Sequence, residues 1–382
     1  MKVHINSKLP NVSTTIFTVM SKLASENNAI NLSQGFPGFN IDDKLIELVN
    51  NAMKSGFNQY APMPGLPALL QQIAIKTEKC YGYLPNTETQ ITITAGATQA
   101  IYTAITAVVK NDDEVIIFEP AYDCYEPAIE ACGAKTIHIA LQFPNYTIDW
   151  NLFKDKITAK TKLIIINSPN NPTGSILTQQ DLDTLFDLIK DKNIFVISDE
   201  VYEHIVFDGV QHVSVLSHTQ LRERSFVVSS FGKTFHTTGW KMGYCIAPEF
   251  MMKEFRKFHQ YIVFSCNMPI QATLAEYLKD EKTYTSLPEF YQTKRDYFLS
   301  KIKHSRFIPM SCKGSYFQLL NYAAITNEND FEYAKKLTEL HKIASIPLSS
   351  FYHDKQDNKV LRFCFAKTNE TLDEAAKILC SI

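Results

Sequence analysis

The residues of this chain best placed to do chemistry are a lysine, an aspartate, an asparagine and an arginine set at the ends of apolar runs or inside one. Lys233 follows the run Ser225-Phe226-Val227-Val228-Ser229 through a turn containing Gly232. Lysine is almost never fully buried without a partner. A partly desolvated lysine loses proton affinity and forms Schiff bases with carbonyl compounds. The competing reading is an ordinary lysine in a polar loop. Gly232-Lys233-Thr234 also resembles the end of a phosphate-binding P-loop, but Val227 stands where that pattern needs its first glycine.

The other candidates pose similar questions. Asp199 closes the run Ile194-Phe195-Val196-Ile197-Ser198, where an unpaired carboxylate is costly. It calls for a fixed cation, or else caps a helix ahead of Val201-Tyr202-Glu203. Arg362 lies inside Val360-Leu361-Arg362-Phe363-Cys364-Phe365 and needs an anion, either a structural partner or a substrate carboxylate gripped by two prongs. Asn171 sits in the turn Asn170-Asn171-Pro172-Thr173-Gly174, where it satisfies the turn or aims an amide at a ligand. Tyr122 and Tyr202 lie just beyond strand-like runs, placed to stack on a flat ligand or to bond it, or simply to pack.

These side chains act together only if the fold gathers them. Ile91–Thr94, Val115–Phe118, Leu163–Ile166, Ile194–Ile197 and Ser225–Ser229 read as short buried strands, each ending in small, polar or turn-forming residues. Helical spacing separates them, as in Leu45, Leu48, Val49 and Ala52, or Leu182, Leu185, Phe186 and Ile189 behind a Thr178/Asp181 capping pair. The alternation predicts an α/β fold: a large domain over residues 40–280, with a mostly parallel central sheet covered by helices. A smaller α+β domain is expected from residues 1–39 and 281–382, with strands near 316–320 and 360–365. In such a sheet the strand ends converge on one crevice. Ala95-Gly96-Ala97-Thr98 opens a helix there, and its free amides suit a phosphate. The absence of G-x-G-x-x-G at that point argues against a dinucleotide.

Composition narrows the possibilities. With 38 basic and 40 acidic residues the net charge is −2, which offers no footprint for nucleic acid or an anionic membrane. No window is apolar enough to span a bilayer, and the first residues lack a signal-peptide core. Eight scattered cysteines without a C-x-x-C pair read as reduced thiols, so a cytoplasmic protein is expected.

One ligand meets every demand at once: pyridoxal 5′-phosphate (PLP). Its aldehyde needs a lysine, its phosphate a helix start, its ring nitrogen a carboxylate and its ring face a stacking partner. An amino-acid substrate then needs an arginine.

The motifs carrying these residues resemble those of the fold-type I, class I aminotransferases, over nearly the whole chain. Within them the chain is most similar to the bacterial methionine aminotransferases and the kynurenine–glutamine–phenylalanine transaminases. The matches, in order, are Asn31-Leu32-Ser33-Gln34-Gly35-Phe36-Pro37, Asn58-Gln59-Tyr60-Ala61-Pro62, Thr94-Ala95-Gly96-Ala97-Thr98, Asn170-Asn171-Pro172-Thr173-Gly174, Ser198-Asp199-Glu200-Val201-Tyr202-Glu203, Ser230-Phe231-Gly232-Lys233-Thr234 and Lys241-Met242-Gly243-Tyr244.

The resemblance implies roles. Lys233 would hold the cofactor covalently and shuttle the substrate's α-proton, and Asp199 would pair with the ring nitrogen. Asn171 and Tyr202 would bond the ring's 3-oxygen, and Tyr122 would stack on its face. Ala97, Thr98, Ser230 and Lys241 would hold the phosphate, with Tyr60 reaching in from a second subunit of a homodimer. Gly35, Asn171 and Arg362 would bind the substrate carboxylate. Many relatives carry arginine where Lys241 stands, so a point charge replaces a fork. Gly35-Phe36-Pro37-Gly38-Phe39 would cover the substrate, and an aromatic cover suits an apolar or aromatic side chain. Methionine, aromatic amino acids and glutamine are the donors implied, with a 2-oxo acid as acceptor in a ping-pong cycle. A kynurenine aminotransferase or a cysteine-conjugate β-lyase is the alternative. A PLP-bound regulator would need a DNA-binding extension and a basic patch that the chain does not show.

Overall fold

The computed structural model describes residues 3–382. A short first strand, β1 (Ile30–Asn31), precedes seven that form the main sheet. These are β2 (Ile91–Thr94), β3 (Glu114–Glu119), β4 (Lys135–Ala140), β5 (Thr161–Asn167), β6 (Phe195–Asp199), β7 (Ser225–Ser230) and β8 (Gly243–Ile246). Their order across the sheet is β2-β8-β7-β6-β5-β3-β4. The β4-β3-β5-β6-β7 run is parallel throughout, and β8 is antiparallel to both of its neighbours.

The apolar runs fold this way because both faces of the sheet are covered. Along β5, Ile164 and Ile166 join one hydrophobic cluster while Leu163 and Ile165 join a second. Along β3, Ile116 and Phe118 face the first cluster, and Val115 and Ile117 the second. A period of two carried by uniformly apolar residues is the pattern of a strand buried on both sides. Truncating any one of these to alanine would cost about 2–5 kcal/mol.

Topology sets where a ligand can sit. From β3 the chain passes to the edge strand β4, then returns as β5 on the other side of β3. The segments following β3 and β5 therefore diverge and leave a crevice at the carboxyl ends of the strands.

Five more strands follow: β9 (Ile308–Pro309), β10 (Phe317–Asn321), β11 (Ile343–Ala344), β12 (Ile346–Pro347) and β13 (Val360–Cys364). Four of them make an antiparallel sheet ordered β12-β13-β10-β9, and β11 pairs in parallel with β1. Arg362 lies on the central strand β13, opposite Leu319 of β10 and Ile346 of β12.

The helical spacing is realised at Asp43–Lys54, Ala97–Val108 and Gln179–Ile189, and the Thr178/Asp181 pair forms a reciprocal capping box. Strands β4 and β8 were not anticipated. β4 is a half-exposed edge strand with Lys135, Thr136 and His138 breaking its apolar run, and β8 is only four residues long. The turn expected around Lys233 is instead a single helical turn, Phe231–Thr234.

Candidate active site

Lys233 is held where β7 ends. Its Nζ donates to the carbonyl of Gly35 and the hydroxyl of Tyr316, each at 3.0 Å, and lies 5.7 Å from the centre of the Tyr202 ring. Burial pulls its ammonium down to about 8. An amine near this value exchanges protons readily around neutral pH.

Asp199 ends β6 in a buried position. Tyr125 Oη donates to Oδ2 at 2.5 Å and the Val201 N–H to Oδ1 at 3.3 Å. The residues after it form a turn, so the carboxylate caps a turn and not a helix. Burial raises the carboxyl to about 6, even with Tyr125, Val201 and the charge of Lys233 favouring the anion. A buried carboxylate raised this far, in no salt bridge among the described residues, is suited to meet a cation brought by a ligand.

An anion cradle lies opposite. The helix Ala97–Val108 begins after Gly96, whose φ of +80° and missing side chain leave the helix start without a side-chain cap. A Cβ on Gly96 would lie 3.4 Å from both Cε and Nζ of Lys241, so that ammonium stands beside the uncapped amides. Lys241 is in no salt bridge among the described residues, and Ser230 and Thr98 face the same space.

Arg362 is fully buried. Its Nη1 donates to Asn171 Oδ1 at 2.7 Å and its Nη2 to the Ser33 carbonyl at 2.8 Å, while Nε has no partner among the described residues. The guanidinium lies 3.9 Å from the Phe317 ring centre, with Phe17 at 5.2 Å and Phe351 at 5.3 Å. Burial lowers it only to about 10, so it stays charged at neutral pH.

Ala97, Thr98, Tyr122, Asn171, Asp199, Tyr202, Ser230, Lys233 and Lys241 line one cleft of about 140 Å³ at the strand ends. Gly35 joins them through its bond to Lys233, and Arg362 through its bond to Asn171. Tyr60 is apart: its side chain is 81% exposed, edge-on to Phe264 at 5.2 Å. Residues that motif reading passed over are Tyr125, Tyr316 and Asn167. Asn167 accepts from the Asn171 N–H and donates to the Asp199 carbonyl, each at 2.8 Å, locking two site elements together. It directly follows the strand run Leu163–Ile166, a position that could have flagged it.

The comparisons agree with this geometry. The family model for class I and II aminotransferases matches residues 27–379. The chain belongs to that family. It is a PLP-dependent transaminase. It is 50% identical to the methionine aminotransferase of Escherichia coli K12 over 374 residues, covering 98% of this chain and 97% of that protein. The crystal structure of YbdL from Escherichia coli, described as having a methionine aminotransferase function, superposes with a TM-score of 0.98 at 48% identity over 100% of both chains. N-succinyldiaminopimelate aminotransferase of Mycobacterium tuberculosis superposes at 0.94, with 32% identity, 99% of this chain and 100% of that one. The aminotransferase thus has the fold-type I architecture expected of it. No helix among its described residues is long and apolar enough to cross a membrane.

Proposed function

We propose that this aminotransferase takes methionine as its preferred amino donor, with aromatic amino acids and glutamine as further donors and a 2-oxo acid as acceptor. The observation that carries the choice of donor is the 50% identity, over almost the full length, to a methionine aminotransferase.

The residues present fit PLP. The raised Asp199 carboxyl seeks a cation, and the uncapped helix start beside Lys241 seeks an anion. When bound, PLP supplies an aldehyde that condenses with amines and a ring that withdraws electrons from the substrate's α-carbon. The chain supplies the rest. Ala97, Thr98, Ser230 and Lys241 would hold the phosphate, and Asp199 would keep a proton on the ring nitrogen. Asn171 Nδ2, whose Oδ1 is already taken by Arg362, and the Tyr202 hydroxyl would bond the ring's 3-oxygen. Tyr122 would cover a ring face, and Arg362 would orient the substrate carboxylate with Asn171 and Gly35. Lys233 Nζ, neutral above about pH 8, would take the proton from the substrate α-carbon and return it elsewhere.

We further read the protein as a cytoplasmic homodimer, with residues 40–280 as the cofactor-binding domain and 1–39 with 281–382 as the smaller one. The exposure of Tyr60 leaves its ring free to reach the site of a second copy. The test is an amino-donor screen of the purified holoenzyme, following the loss of its visible absorbance. Response to methionine and aromatic donors is expected. No response to either would overturn the donor assignment, and release of pyruvate and ammonia from a cysteine conjugate without an oxo acid would favour a β-lyase.

A further inference from the structure

We propose that Tyr125 is a positioning residue of the transamination site, whose phenol holds the Asp199 side chain as an ionised carboxylate aimed at the cofactor's ring nitrogen. This rests on the role assigned above to Asp199.

The geometry is specific. Tyr125 Oη donates to Asp199 Oδ2 at 2.5 Å, the range of a charge-assisted bond. Tyr125 opens the helix Tyr125–Ala131, and its N–H donates to the Tyr122 carbonyl at 3.3 Å. One turn of chain after β3 therefore delivers two phenols: Tyr122 to the wall of the cleft, and Tyr125 to the carboxylate. Their rings lie 6.0 Å apart at 74°.

Packing alone does not call for this bond. Among the described residues the phenol oxygens of Tyr146, Tyr291 and Tyr333 are buried with no protein group bonded to them, so burial by itself does not bring a phenol to a carboxylate in this fold. The titratable groups that face Asp199 are Lys233 from the turn after β7, Glu200 beside it, and Tyr122, Cys124 and Tyr125 from the segment after β3. Burial pushes the Asp199 carboxyl up, and the Tyr125 bond is the largest of the contacts that pull it back. Burial, then the charge of Asp199, keeps the Tyr125 phenol protonated and able to donate.

The test is a double-mutant cycle on the holoenzyme, reading the dissociation constant of PLP by dialysis with urea midpoints in parallel. Tyr125→Phe is expected to weaken PLP binding about tenfold to a hundredfold when Asp199 is present. In an Asp199→Asn background the same change is expected to weaken it by less than about threefold. An equal loss in both backgrounds, or none in the first, would overturn the proposal while leaving the role of Asp199 intact. If Asp199→Asn alone left PLP binding and methionine turnover unchanged, the assignment of Asp199 would fail first. Should Tyr125→Phe not fold, 3-fluorotyrosine at position 125 keeps the shape with a more acidic phenol. It is expected to tighten PLP binding, and unchanged or weaker binding would contradict the proposal.

Discussion

Arg362 and Asn171 are joined across the two sheets: Nη1 on β13 donates to Oδ1 in the turn after β5, at 2.7 Å. The guanidinium is thereby fixed in one plane over the Phe317 ring, 3.9 Å from its centre. Arg362→Lys keeps the charge but loses the fork that reaches Asn171 and Ser33 together. Expected is a rise in KM for methionine of about tenfold to a hundredfold, with kcat falling less. Steady-state kinetics check it, and an unchanged KM would remove Arg362 from carboxylate binding.

Asp199 places function and stability in opposition. Its carboxyl rises to about 6 on folding from the ordinary 3.8, chiefly through burial. Between those values the folded chain binds more protons than the unfolded one, so stability falls as pH rises through that window. Asp199→Asn should therefore stabilise the cofactor-free protein above pH 6, by on the order of 1–3 kcal/mol, while weakening PLP binding in the same variant. Urea unfolding at pH 5 and pH 8 tests this: the gain at pH 5, inside the window, should be about half of that at pH 8.

The fold was legible wherever burial on both faces made a strand uniformly apolar, as in β3, β5, β6 and β7. It was obscured at β4, because an edge strand keeps polar residues such as Lys135 and His138. Site residues at strand ends announced themselves through the cost of placing lysine, aspartate or arginine beside apolar runs. Tyr125 and Tyr316 gave no such signal, since a tyrosine among eighteen is at home in a core and only its contacts mark it. Lys233 was foreseen by type and place but not by conformation: four residues are too few to show helical periodicity.

Gly96 should tolerate no side chain. Its φ is +80° with ψ 170°, a backbone conformation that L side chains rarely adopt, although a Cβ would only reach ordinary contact with Lys241 Nζ. Gly96→Ala is expected to weaken PLP binding about tenfold or more through backbone strain alone. Equilibrium dialysis measures it, and binding of free phosphate or pyridoxal distinguishes loss at the phosphate end from loss at the ring.

Lys76 and Glu203 form a buried ion pair at 2.8 Å, with the hydroxyls of Tyr81 and Tyr244 bonded into it. Burial disfavours the charge on Lys76, but Glu203 outweighs it and the net shift is upward; Glu203 is in turn held well below the usual carboxylate range against its own burial, chiefly by Lys76. Lys76→Met leaves that carboxylate buried without its cation and should cost about 3–5 kcal/mol. The pair adjoins Tyr202 in sequence through Glu203, so a loss of stability with little change in KM would mark it as scaffold.

The most direct measurement is exchange of the α-proton of methionine with deuterated solvent, followed by NMR, in Lys233→Ala loaded with PLP. With Lys233 Nζ as the group that moves that proton, exchange should slow by about a hundredfold to ten-thousandfold, and an added small amine should restore part of it. Exchange at the rate of the unaltered enzyme would show that some other group carries the proton, and the role given to Lys233 would be wrong.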